Sequence, residues 1–60
     1  MNFTKREIEV MTLLKTGDSN IEIAAVLALS KKSIEMHLAN IKAKLGIKTT
    51  RQLIVHLLHE

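Results

Sequence analysis

Apolar side chains recur along this chain at steps of three and four, in four blocks separated by short polar breaks. The first block presents Val10, Met11 and Leu14 on one side, with Leu13 at its margin. The second presents Ile23, Ala24 and Leu27, and the third Ile34, Leu38 and Ile41, with Leu45 continuing the stripe. The fourth is richer: Leu53, Ile54, Val55, Leu57 and Leu58. Each block follows a start signal. Thr4 with Glu7, Ser19 with Glu22 and Thr49 with Gln52 have capping-box spacing, and Ser30 is a fourth N-cap. Phe3 with Ile8 and Leu29 with Ile34 have the spacing of hydrophobic staples. Gly17 and Gly46 fall where an apolar period ends. The pattern predicts an all-α chain with helices at about residues 5–15, 20–28, 31–44 and 50–59.

Only residues 28–30, "ALS", join the second helix to the third. So short a link forces a steep crossing, and Ala24 and Ala25 are small where the two helices would meet. This is helix-turn-helix geometry, at about residues 20–44, in which the second helix of the pair is offered to the DNA major groove.

Composition sharpens that reading. Sixty residues make one domain, and a chain of this size buries only about 60% of the surface its unfolded form exposes. The sequence has no cysteine, which removes disulfides and thiolate metal sites as sources of stability. No apolar run is long enough to span a bilayer, and "MNFTKRE" turns charged where a signal peptide needs apolar residues. The expectation is a soluble cytoplasmic protein. The net charge of +3 is unevenly placed: residues 1–30 sum to −1, whereas residues 31–51 carry five lysines and Arg51 against Glu35 alone. A one-sided basic segment suits a polyanionic partner.

The segments "FTKREIEVM" and "TGDSNIEIAAVLALSKKSIEMHLANIKAKLGI", with the capped fourth helix, resemble the LuxR-type (GerE-like) DNA-binding domain of bacterial transcription regulators. The likeness covers essentially the whole chain, 1–60. Its matches run from Thr4, Arg6 and Glu7 through Gly17, Asn20 and Ile23 to Ser33, His37, Asn40, Lys44 and Gly46. The resemblance implies a four-helix domain whose third helix reads the major groove. It also implies a fourth helix, at about 50–59, that makes a two-fold dimer on DNA. An upstream regulatory domain and RNA polymerase are the further partners such a domain has, and association with the nucleoid follows from DNA binding.

On the third helix the side opposite Ile34, Leu38 and Ile41 holds Lys32, Met36, Ala39, Asn40 and Ala43. Glu35 and Lys42 lie on one shoulder, Ser33 and Lys44 on the other. Small alanines allow close approach to base edges, and lysines on the shoulders suit phosphates. The expected DNA-binding residues are Asn20, Lys31, Lys32, Ser33, Glu35, Met36, Ala39, Asn40, Lys42 and Lys44; Val55 and Leu58 are expected at a dimer interface. The plain alternative is a solvated helix face. Glu35 stands where the family usually carries lysine or arginine, and three readings stay open. It accepts from a cytosine amino group, it tunes charge beside Lys31 and Lys32, or base reading has weakened and the fold serves as a protein-interaction module. His37 reads as a packed histidine at the edge of the core. His56 and His59 are a weak metal pair without a third ligand. No nucleophile–base pairing, paired carboxylates or phosphate-cradling glycine loop suggests an enzyme, and no cofactor or metal is called for.

Overall fold

The computed structural model describes residues 2–59; Met1 and Glu60, the ends of the expected domain, lie outside the described residues. Four helices follow one another: α1 Lys5–Lys15, α2 Asn20–Leu27, α3 Lys31–Leu45 and α4 Thr50–Leu58. They agree with the expected spans except that α2 and α4 end one residue earlier and α3 one later. No helix among the described residues is long and apolar enough to cross a membrane.

The N-termini are built locally. Thr4 and Ser19 form complete capping boxes with Glu7 and Glu22. The third expected box is half formed. Thr49 accepts from the Gln52 N–H at 3.0 Å, but the Gln52 side chain reaches the Lys48 N–H instead of closing back on Thr49. Ser30 caps α3 by accepting from the Ser33 N–H at 3.1 Å.

Three C-termini share one device, in which two successive N–H groups turn back onto the last carbonyls. After α1, Gly17 and Asp18 donate to Leu14 and Leu13; after α2, Ala28 and Leu29 donate to Ala25 and Ala24; after α3, Gly46 and Ile47 donate to Ala43 and Lys42. The device needs a left-handed residue. Gly17 at φ +97° and Gly46 at φ +70° supply it freely, but after α2 the position is held by Ala28 at φ 57°. A Cβ there crowds the following carbonyl, at a cost of roughly 1–2 kcal/mol. The tight turn between α2 and α3 is therefore held by its surroundings against a local preference. Leu29, the next residue, packs against the core and helps to hold it.

The core is one cluster: Val10, Leu14, Ile23, Ala24, Ile34, Leu38, Ile41, Leu53 and Leu57. Residues from all four helices meet there, and α3 packs on each of the other three. Ala24 is buried in the core, but Ala25 faces solvent, so at most one of the two alanines serves the crossing. The Phe3–Ile8 staple is loose: Phe3 packs on the core, whereas Ile8 stays 52% exposed.

Ala28→Gly is expected to stabilise the domain by about 0.5–1 kcal/mol, by relieving the left-handed strain minus the entropy a glycine adds to the unfolded chain. Urea unfolding of the two proteins checks this. A midpoint that falls would show that Ala28 is not strained.

Candidate nucleic-acid interface

Because Ile34, Leu38 and Ile41 are drawn into the core, the opposite side of α3 is turned outward. Lys31, Lys32, Glu35, Met36, Ala39, Asn40 and Ala43 are all exposed, Met36 at 59%. Lys42 is half-buried on one shoulder, and His37 is half-buried at the core's edge. Asn20, the first residue of α2, is half-buried. Exposed cations continue beyond α3 with Lys48 and Arg51. The outward face thus holds two small residues, one amide, one thioether and a cationic border, an arrangement that fits a groove with charged walls.

Glu35 makes no ion pair with Lys31 or Lys32 among the described residues, whereas Arg6 pairs with Glu9 at 3.4 Å and Lys44 with Glu7. Its carboxylate is therefore displayed rather than neutralised. Ser33 is half-buried, and its hydroxyl accepts from the Ser30 hydroxyl at 3.0 Å within the helix cap.

Lys44 differs from the other cations expected at DNA. Its ammonium turns away from the outward face. It donates to the Glu7 carboxylate and to the Asn2 carbonyl, the latter at 3.1 Å, and lies 5.4 Å from the centre of the Phe3 ring. Glu7 is the buried charged residue among the described residues, only 3% exposed. Its Oε1 accepts from the Thr4 N–H at 2.8 Å while receiving Lys44, so a single carboxylate closes the α1 cap and anchors α3. The Lys44 ammonium, followed by the cap hydrogen bond from Thr4, holds the Glu7 carboxyl below its ordinary value of 4.5. The Ser19 cap lowers Glu22 in the same direction. Sequence spacing could not reveal the Lys44 contact, because its partner lies 37 residues away on another helix.

On α4, Leu53 and Leu57 are buried and Ile54 is half-buried, leaving Val55 (50%) and Leu58 (58%) exposed one turn apart. His56 and His59 are exposed, and no group of three or more metal-ligating side chains occurs among the described residues.

The sequence matches the model of the luxR family of bacterial regulatory proteins over residues 1–57. It is similar to the oxygen regulatory protein NreC of Staphylococcus aureus, strains JH9 and Mu3. Each is 40% identical over 55 residues, which is 92% of this chain and 25% of the relative. The chain thus spans about a quarter of the length of the curated relatives it matches. No solved structure gives a significant match.

The Glu7 contact has a pH signature. A carboxylate whose pKa is lowered on folding stabilises the native state fully above its unfolded value, and that contribution is lost as pH falls through the folded value. Urea midpoints of the wild type should therefore fall more steeply below pH 4.5 than those of Glu7→Gln, which has no charge to lose there. Equal steepness in the two proteins would remove Glu7 as the cause.

Proposed function

The chain belongs to the luxR family of bacterial regulatory proteins, DNA-binding regulators of transcription, and on that footing we propose that it reads a specific double-stranded site as a homodimer. In this reading α3 enters the major groove. Met36, Ala39 and Asn40 meet base edges, while Lys31, Lys32 and Lys42 meet phosphates and Asn20 meets the backbone at the start of α2. The observation that carries it is the outward side of α3: every residue between its two shoulders is exposed, and the charged borders are cationic apart from Glu35. RNA polymerase and an upstream regulatory domain are the further partners of this reading.

The dimer rests on Val55 and Leu58. Two exposed apolar side chains one turn apart on a nine-residue helix suit a self-complementary contact across a two-fold axis. They stand beside the half-buried Ile54, so the patch continues the core outward.

Glu35 acts here as a charge brake. An unpaired carboxylate among phosphates weakens binding to every duplex, whereas acceptance from a cytosine helps at one position only. Without a cation of its own, the residue leaves Lys31 and Lys32 to offset it. The second reading, a protein-interaction module with weakened base reading, draws on the same displayed carboxylate.

Selection of bound sequences from a random duplex pool, followed by titration on selected and random duplexes across salt concentrations, tests the DNA reading. If each protomer neutralises about four phosphates, the log–log salt slope is near −3.6 per protomer, at about −0.9 for each. Lys32→Ala should flatten it by about one unit. Failure to enrich any sequence, with feeble duplex binding throughout, would favour the interaction module.

Glu35→Lys should tighten binding to all duplexes alike and steepen the slope by about one unit. Random-duplex binding no better than wild type would defeat the charge brake. Lost discrimination at one base pair in Glu35→Gln would identify a cytosine contact. Binding that exists only in Glu35→Lys would mark base reading as already lost in the wild type.

Val55→Glu and Leu58→Glu should each convert a two-protomer complex on selected DNA to single occupancy while leaving the helical circular dichroism unchanged. Sedimentation equilibrium checks the stoichiometry. A wild type that binds as one protomer would reject the dimer.

A further inference from the structure

We propose that Lys44 is a positioning residue for base reading and not a phosphate contact: by tying the last turn of α3 to the buried Glu7, it fixes the rotation of that helix about its own axis. The inference rests on the DNA reading above and names a residue on which its specificity depends.

The apolar seam of Ile34, Leu38, Ile41 and Leu45 holds α3 on the domain. Apolar attraction is non-directional, so a seam of this kind tolerates small rotations better than a hydrogen bond does. A side-chain tip lies about 5–6 Å from the helix axis. A rotation of about 10° therefore moves it about 1 Å, beyond the roughly 0.5 Å within which a recognition group has to be held. Something directional has to fix the azimuth.

Lys44 meets that need. It follows Asn40 by one turn and Met36 by two, on a helix of 15 residues whose first turn is fixed by the Ser30 cap. Its ammonium has three neighbours from one segment: the Glu7 carboxylate, the Asn2 carbonyl and the Phe3 ring. Glu7 cannot swing with it, because the Thr4 N–H holds the same oxygen at 2.8 Å within the α1 cap. The Lys44 side chain is 32% exposed and that of Glu7 4%, so the joint lies at the edge of the core and is shielded from most solvent. The cap orders the first turn of α3 within itself, whereas the ion pair ties its last turn to the frame.

Positioning and phosphate contact leave different marks. Long lysine side chains adjust to a small rotation, so the phosphate contacts and the salt slope survive it. Asn40 and Met36 reach base edges over a shorter range and lose alignment. Loss of Lys44 should therefore cost discrimination between sites while leaving the salt slope alone, whereas loss of a phosphate contact would flatten the slope and weaken every duplex alike.

The test compares wild type, Lys44→Met, Lys44→Arg and the double variant Glu7→Gln with Lys44→Met, on selected and random duplexes over a range of salt. The double variant leaves no unpaired buried charge and keeps a side chain able to close the α1 cap, so it serves if Lys44→Met alone unfolds. Expected results are a wild-type salt slope in the folded Lys44-lacking variants and a ratio of random to selected Kd that falls about tenfold, the scale of one base contact. Lys44→Arg should recover part of that ratio. A slope flatter by about one unit with the ratio intact would make Lys44 a phosphate contact and overturn the proposal. An unchanged slope and ratio with only a lowered melting temperature would overturn it too. A wild type that does not discriminate between the duplexes would bring down the DNA reading itself, and this inference with it.

Discussion

Much of this domain depends on the burial of one charge. A carboxylate removed from water is costly unless its lone pairs and its charge are both answered. Glu7 is answered twice, by the Thr4 N–H that it caps and by the Lys44 ammonium. The first contact begins α1 and the second attaches α3 to it. Replacing Lys44 would strand a carboxylate inside the protein, so the pair acts less as a source of net stability than as a condition on the arrangement. A packing of α1 on α3 that separated the two would bury the carboxylate without its cation. The apolar seam alone does not impose that selectivity.

The same economy appears in the other elements. Helices of 8 to 15 residues are marginal by themselves, so each needs its ends completed and its apolar face covered. The capping side chains act within three residues of sequence, and the three returning turns act within five. These local devices fix where each helix starts and stops. Only then does the shared core decide how the helices lie on one another. Ala28 marks the place where the two levels disagree: the turn between α2 and α3 has to be short for those helices to cross, and the chain accepts a left-handed alanine to make it so.

This division explains what could be read from the sequence. Caps, apolar periods and helix-ending glycines are local signals, and the four helices and their buried faces follow from them to within a residue. The outward side of α3 is legible for the same reason, since a helix with one side in the core must turn the other away. The fate of Lys44 is not legible that way. On a helical projection it sits on a shoulder of the outward face like any other cation, and its partner is set by how α1 approaches α3. The Gln52 side chain is a smaller case: its spacing suits a box with Thr49, but the backbone entering α4 brings the Lys48 N–H within its reach. Ala25 likewise looks like a crossing residue until the rotation of α2 is known. In each case the missing information is an orientation between elements, which no periodicity encodes.

Redirecting Lys44 inward also changes the charge balance of the face it leaves. With that cation engaged by Glu7, Glu35 faces fewer free cations than a count along α3 suggests: Lys31 and Lys32 before it and the half-buried Lys42 after it. Near a polyanion an unpaired carboxylate repels at every sequence, so its cost is uniform, whereas a well-aligned amide or thioether contact helps at particular bases only. Lowering the uniform part raises the share of binding that depends on alignment. A domain built this way leans more heavily on the rigid placement of α3 than one with a fully cationic face. On the proposed reading, the buried Glu7–Lys44 joint and the displayed Glu35 are two sides of one arrangement, in which the ion pair that ties α3 to α1 also removes from the helix surface a charge that would make binding less selective.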